Sequence, residues 1–156
     1  MKPKVYIETS IPSYLTAWRN KDLIMAANQE ITKEWWENRH LFDLYLSAFV
    51  IQEVSFGDPD AVKRRLLALS DIPEIEITEE IAIFAENLIC KVPLPHKAKI
   101  DALHIAVATV GGMDYLLTWN CRHIANAVFR PKIESVCREL GYEPPTICTP
   151  QELLEI

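Results

Sequence analysis

Val5-Tyr6-Ile7-Glu8-Thr9-Ser10 decides how the rest of this chain is read. Val5, Tyr6 and Ile7 form a β-prone run with almost no polar character. An N-terminal strand that apolar belongs in the middle of a sheet rather than at its edge. It stops at Glu8-Thr9-Ser10 and runs on into Ile11-Pro12-Ser13. Thr9 or Ser10 suits the cap of a following helix, and Pro12 its first turn. A carboxylate therefore stands at the C-terminal end of a buried strand, beside a helix N-terminus, which is where sites form in open α/β sheets. The alternative duty for Glu8 is to cap that helix and meet its dipole.

Outward from this stretch, strands and helices alternate. Ile11 to Trp18 reads as a short helix, and Leu23 to Arg39 as a long one capped by Asp22, with Ile24, Ala27, Ile31 and Trp35 on one face. The Trp35-Trp36 pair beside Arg39 reads as helix packing or as a binding surface. Leu41 to Ser47 is a second strand, interrupted by Asp43, and Ala48 to Val54 a short helix. There Phe49, Val50, Ile51 and Val54 face the core and leave Glu53 free. Gly57-Asp58-Pro59 stops that helix and starts an amphipathic one over Asp60 to Ser70, with Lys63-Arg64-Arg65 on its wet side.

Ile75-Glu76-Ile77 alternates as a short third strand, and Thr78 caps a helix over Ile81 to Cys90. Pro93 to His96 is a connecting loop. Lys99 to Val110 is so apolar that the helix must be almost wholly buried, and Gly111-Gly112 ends it. Tyr115 to Trp119 is an apolar fourth strand ending in Asn120-Cys121-Arg122-His123. A helical turn over Ile124 to Val128, a helix over Pro131 to Leu140, an edge strand Thr146-Ile147-Cys148 and a last short helix from Thr149 complete the chain. This alternation implies a mostly parallel sheet covered on both faces, in one domain spanning 1–156.

Composition narrows the functional classes. Of 156 residues, 49% are apolar and 24% charged, as in an ordinary globular protein. No apolar run approaches the ~20 residues that span a bilayer, so no membrane partner is expected. Met1-Lys2-Pro3-Lys4 leads directly into a strand, so no export signal is expected. Cys90, Cys121, Cys137 and Cys148 lack C-x-x-C spacing, which argues against zinc. They read as reduced thiols of a cytoplasmic protein, mostly small core residues. The net charge of −6 argues against a protein that coats nucleic acid non-specifically. It leaves open an enzyme that meets a phosphodiester through bound metal ions.

Four groups stand out. Glu8 and Asn120 lie at the ends of apolar strands, Glu53 on the helix just after the second strand, and Asp101 in the first turn of the buried helix, with His104 one turn on. If the first, second and fourth strands are neighbours, these groups converge on one edge of the sheet. Three carboxylates that close repel and raise one another's pKa, a cost that a divalent cation removes. Oxygen ligands with room for water suit Mg²⁺ or Mn²⁺. Such an ion activates water and neutralises charge on a phosphodiester. Each residue also has a plainer duty: a solvated Glu53, a dipole-facing Asp101, a hydrogen-bonded core His104, an Asn120 that caps the next turn. Arg122 and His123 are candidate phosphate contacts that could equally be exposed.

Tyr6-Ile7-Glu8-Thr9-Ser10, Gln52-Glu53-Val54, Asp101-Ala102-Leu103-His104-Ile105-Ala106 and Leu117-Thr118-Trp119-Asn120, in that order, resemble the PIN domain, and most of all its VapC-like branch. The resemblance runs from about Val5 to Thr149. It implies a three-layer α/β/α sandwich and a Mg²⁺- or Mn²⁺-dependent ribonuclease. Such proteins are often the toxin of a toxin–antitoxin pair and usually homodimers. By position Glu8, Glu53 and Asp101 match the family's first three acidic sites and would hold the metal. The first site usually carries Asp, so the longer Glu8 places its carboxylate farther from the backbone. The fourth site often carries an acid, but here the segment reads Asn120-Cys121-Arg122-His123, which favours one firmly bound ion over two.

The expected activity is thus single-strand RNA endonuclease, with Glu8, Glu53, Asp101 and Asn120 catalytic and Ser10, Arg122 and His123 as possible substrate contacts. The alternative is a non-catalytic PIN-like module that binds RNA or a protein such as an antitoxin. A receiver domain or phosphatase would need a strand-end Asp nucleophile and a placed Lys; the first strand ends in Glu8 and no strand visibly ends in Lys.

Overall fold

The computed structural model of the chain describes residues 1–95 and 98–154, and its centre is β1 (Lys4–Ile7). β2 (Asp43–Tyr45) and β3 (Tyr115–Leu117) flank it, and β4 (Thr146–Cys148) lies outside β3. Every pairing is parallel: Val5 lies opposite Leu44 on one side and Tyr115 on the other, and Leu116 opposite Ile147. Val5, Tyr6 and Ile7 are fully buried, as expected of a central strand in a parallel sheet. With seven α-helices among the described residues, the architecture is a three-layer α/β/α sandwich of PIN type.

The helices are α1 (Ser10–Thr16), α2 (Leu23–Glu37), α3 (Ala48–Val54), α4 (Pro59–Leu69), α5 (Glu79–Lys91), α6 (Lys99–Val110) and α7 (Arg130–Glu139). Several sequence signals act as read. Asp22 accepts the Met25 amide and caps α2, and Asp58 accepts the Ala61 amide with Pro59 in the first turn of α4. Gly57 takes φ +104°, a left-handed conformation that lets the chain turn between α3 and α4. In α6, Ala102, Ile105, Ala106, Val107 and Ala108 are completely buried, with His104 among them. Among the described residues, no helix is long and apolar enough to cross a membrane.

Other expectations are corrected. Ile75-Glu76-Ile77 forms no strand. The β2 edge continues only as a bridge between Leu46 and Glu74, closed by Leu46 N to Pro73 O and Ile75 N to Leu46 O, after which the chain leaves the sheet. Ile124 to Val128 is a series of turns rather than helix, because the Ile124 and Ala125 amides both return to the Asn120 carbonyl. The second strand is shorter than Leu41 to Ser47, and Asp43 begins it instead of interrupting it. The last residue of the loop expected over Pro93 to His96 lies outside the described residues.

α2 buries Ala26, Gln29, Thr32 and Trp35; of the expected face Trp35 is core, but Ala27 is exposed and Ile24 is 74% exposed. Of the buried polar groups on that face, Gln29 and Thr32 are satisfied, whereas the Trp35 indole nitrogen has no hydrogen-bond partner among the described residues. Gln29 bonds the Trp18 carbonyl and the Asn20 amide, and Thr32 bonds the Asn28 carbonyl and the Trp119 indole. Trp35 is core, tilted against Phe42, which decides for packing over a binding surface. In the Lys63-Arg64-Arg65 run the arginines do not point freely into solvent. Arg64 bonds the Thr16 carbonyl and Arg65 those of Val54 and Phe56, tying α4 to the ends of α1 and α3. Of the cysteines, Cys137 and Cys148 are buried and Cys90 and Cys121 exposed, so half rather than most are core residues; burial pushes the Cys148 thiol up to about 12.

Candidate metal centre

With β1 between β2 and β3, the segments that follow these strands converge at one edge of the sheet. Glu8 follows β1 directly and is only 5% exposed. Its Oε1 accepts three hydrogen bonds, from the Ser10 amide at 3.1 Å, from the Ser10 hydroxyl and from Thr118 Oγ1 at 2.6 Å. All hydrogen bonds from described residues fall on this one oxygen. Ser10, at the start of α1, also accepts the Trp119 amide at 2.7 Å, so it binds the end of β3 to the end of β1. This places Ser10 as a holder of Glu8. Thr118 at the end of β3 carries no sequence signal of this role. Its hydroxyl also accepts the Asn120 amide at 2.9 Å.

Glu53 reaches the same place from α3. Its Oε1 accepts the Thr9 hydroxyl and His104 Nε2, each at 2.5 Å, and Oε2 again receives nothing from the described residues. Thr9 therefore does not cap α1 with its side chain, contrary to the expectation for Thr9 or Ser10, because its hydroxyl is committed to Glu53. Burial pushes the Glu53 carboxyl upward. The hydrogen bond and attraction from His104, with the Thr9 hydroxyl, more than offset this and hold it below the ordinary carboxylate value.

His104 is completely buried and both ring nitrogens are engaged. Nε2 meets Glu53, and Nδ1 lies 2.7 Å from the Tyr6 hydroxyl, which in turn lies 2.7 Å from Ser47 Oγ. Burial pushes the Tyr6 phenol far above its usual range, so it stays a neutral hydroxyl. Nε2–H donates to Glu53, and the Tyr6 hydroxyl joins Nδ1 to Ser47 in one continuous series. The hydrogen-bonded core role read for His104 holds.

Asp101 lies one helical turn before His104. Its Oδ1 accepts Asn120 Nδ2 at 3.0 Å, and its Oδ2 lies 2.9 Å from His123 Nδ1. Asn120 Oδ1 accepts the His123 amide at 3.1 Å, so Asn120 caps the turn after β3 while its nitrogen holds Asp101. Asn120, through Thr118, links Asp101 to Glu8. Arg122 is exposed, with no side-chain hydrogen bond among the described residues.

Among the described residues, one ligand atom from each of Glu8, Glu53 and His104 lies within 4.8 Å of the others. Asp101 is not in that trio, and His104 enters it in place of the expected third acid. Because both nitrogens of His104 are occupied, the donors on offer are carboxylate oxygens. Among the described residues, Glu8 and Glu53 each contribute one oxygen with no partner, and Asp101 keeps spare lone pairs on oxygens that accept one bond each. This donor set fits a hard dication such as Mg²⁺ or Mn²⁺ better than a soft one.

No curated protein matches the sequence. The PIN domain model matches residues 5–127, from the first residues of β1 to the turns beyond β3, and that span holds Glu8, Glu53, Asp101, Asn120 and His123. The match covers well over half of the 156 residues, and the chain belongs to the PIN domain family.

Proposed function

We propose that this PIN domain is a metal-dependent endoribonuclease of the VapC-like branch, hydrolysing phosphodiester bonds of single-stranded RNA as the toxin of a toxin–antitoxin pair. PIN domains are generally nucleases, and nucleic acid is their substrate. One observation supports the reading most. Glu8 and Glu53 are pinned by hydrogen bonds that all fall on one oxygen of each, at the carboxyl ends of β1 and β3, and each keeps its second oxygen unbonded among the described residues. A buried acid and a half-buried one held this way are a poor device for stability and a suitable one for a cation.

Glu8, Glu53 and Asp101 would hold a single Mg²⁺ or Mn²⁺. When bound, such an ion supplies an activated water and neutralises charge on the phosphodiester. The chain's own contribution is alignment. Ser10 and Thr118 fix Glu8, and Thr9 and His104 fix Glu53. Asn120 holds Asp101 and joins it to the rest. Arg122, exposed beside His123, would meet a backbone phosphate.

The proposed domain spans 1–156. β4 lies beyond the matched span and hydrogen-bonds to β3, extending the same sheet. Trp18, Leu23, Ile24 and Leu67 are each more than 70% exposed, on or beside α1, α2 and α4. Large apolar side chains left outside support a homodimer and an antitoxin as partners. Four free cysteines, two of them exposed, suit a reducing cytoplasm.

Asp101→Asn is expected to abolish cleavage of a single-stranded RNA and to weaken Mg²⁺ binding while the melting curve stays cooperative; an unchanged rate would refute the assignment. A second reading, a PIN-like module without catalysis, draws on Asp101 having both oxygens engaged by Asn120 and His123 and on the neutral side chain at Asn120. Calorimetric titration with Mn²⁺ separates the two, since the module should bind none.

A further inference from the structure

The deepest polar feature of the molecule is one the metal reading does not require. Ser47, Tyr6 and His104 are all fully buried and hydrogen-bonded in series, and the series ends on Glu53. Its members come from different elements. Tyr6 is in β1, Ser47 is the residue before α3, His104 is in the middle of α6, and Glu53 is near the end of α3. An imidazole, a phenol and a hydroxyl lose hydration when placed in an aliphatic core, and apolar residues of the same size would fill that space without the loss. The fold nonetheless places all three in line behind one carboxylate. His104 is the only member that touches Glu53, and its orientation is set from behind by Tyr6.

Resting on the metal reading above, we propose that His104 is a positioning residue for the cation. Held by Tyr6 and Ser47, it occupies Glu53 Oε1 inside the protein and commits Oε2 to the ion shared with Glu8. Thr9 contributes to the same oxygen from the other side, so Glu53 is clamped between α6 and the end of β1. Without the imidazole the carboxylate can rotate about its last side-chain bond and exchange its two oxygens, and the ion meets an unprepared ligand. Partners that orient a ligand in this way are worth about 10–100-fold in metal affinity.

The test is calorimetric titration of Mn²⁺ into the metal-free full chain, without RNA, alongside a thermal melt. Tyr6→Phe removes one hydroxyl and keeps the core volume; its Mn²⁺ affinity is expected to fall about tenfold while the fold persists. His104→Asn, whose amide is too short to replace Nε2, is expected to lose about 10–100-fold, and His104→Gln, whose amide can reach Glu53, to regain much of it. A series that only filled space would leave Tyr6→Phe, which keeps the core volume, at wild-type affinity. A Tyr6→Phe dissociation constant within about twofold of wild type overturns the proposal, and so does an equal loss in the two His104 variants. If neither His104 variant folds, Tyr6→Phe decides alone. Affinity lost in Glu53→Gln but kept in Tyr6→Phe leaves the metal reading standing and refutes only this inference. A wild-type chain that binds no Mn²⁺ overturns both.

Discussion

The two arms of the site use the same chemistry to opposite ends. In the Glu8–Glu53 arm, five hydrogen bonds fall on two oxygens and leave two without a partner among the described residues. In the Asp101 arm both oxygens are taken, one by Asn120 and one by His123, and the histidine stays partly open to solvent. A carboxylate bonded on one side is prepared for a ligand outside the protein, whereas one bonded on both sides is prepared to hold its neighbours. The first arm should therefore dominate cation affinity and the second should tune it, with Thr118 as the joint between them.

The largest effect should come from the cation itself. At a concentration of Mn²⁺ about 100 times its dissociation constant, the folded state gains about 2.7 kcal/mol by mass action, seen as a rise in melting temperature. Glu8→Gln should remove that rise, since Gln can still accept from Thr118 and Ser10 but brings no charge to the ion. If the rise survives in Glu8→Gln and disappears in an Asp101 variant, the ranking of the arms is reversed. Next in size is the joint. Thr118→Val keeps the shape but strips a donor from Glu8 and an acceptor from the Asn120 amide, at a cost of about 1–3 kcal/mol in urea melts of the metal-free protein. Little or no loss would mean that the arms are independent.

A smaller effect is the acid limb of stability. The folded-state pKa of Glu53 lies below its unfolded value. Its interactions with His104 and Thr9 are therefore fully present above about pH 4.5 and are lost as pH falls through the depressed value. Glu53→Gln should flatten that limb in melts taken between about pH 3 and 7, and an unchanged limb in that variant would refute the coupling. Smallest of all, His123→Gln should cost less than about 1 kcal/mol, because its bond to Asp101 is partly screened by solvent. A larger loss would make the second arm as structural as the first.

Much of this was legible in the residues. An unbroken apolar run put β1 at the centre, and the bounds of α6 could be read directly because its apolar stretch is closed by Gly111-Gly112. Glu8, Glu53 and Asp101 were legible as acids at the ends of elements. Their partners were not. Thr118 and Thr9 carry no signal of what their hydroxyls will bond, since that depends on β1 lying between β2 and β3 and on which way the chain turns after each strand. The Ile75–Ile77 strand failed for a related reason: alternation marks a segment able to pair, but pairing needs a free edge, and the chain uses the edge of β2 for one bridge before leaving. On α2, periodicity chose the Ile24 face, whereas packing chose Gln29 and Thr32 because partners on Trp18, Asn20 and Trp119 were within reach.

The pairing of β1 with β3 also bears on biosynthesis. Tyr6 waits for Leu116, and Glu8 for Thr118, across more than a hundred residues of chain. Parallel pairing over such a separation is slow to form and comes late. While the ribosome is still adding residues, a nascent chain short of Thr118 has Glu8 but not the strand end that anchors it. A site built this way is assembled only when nearly all of the chain has been made.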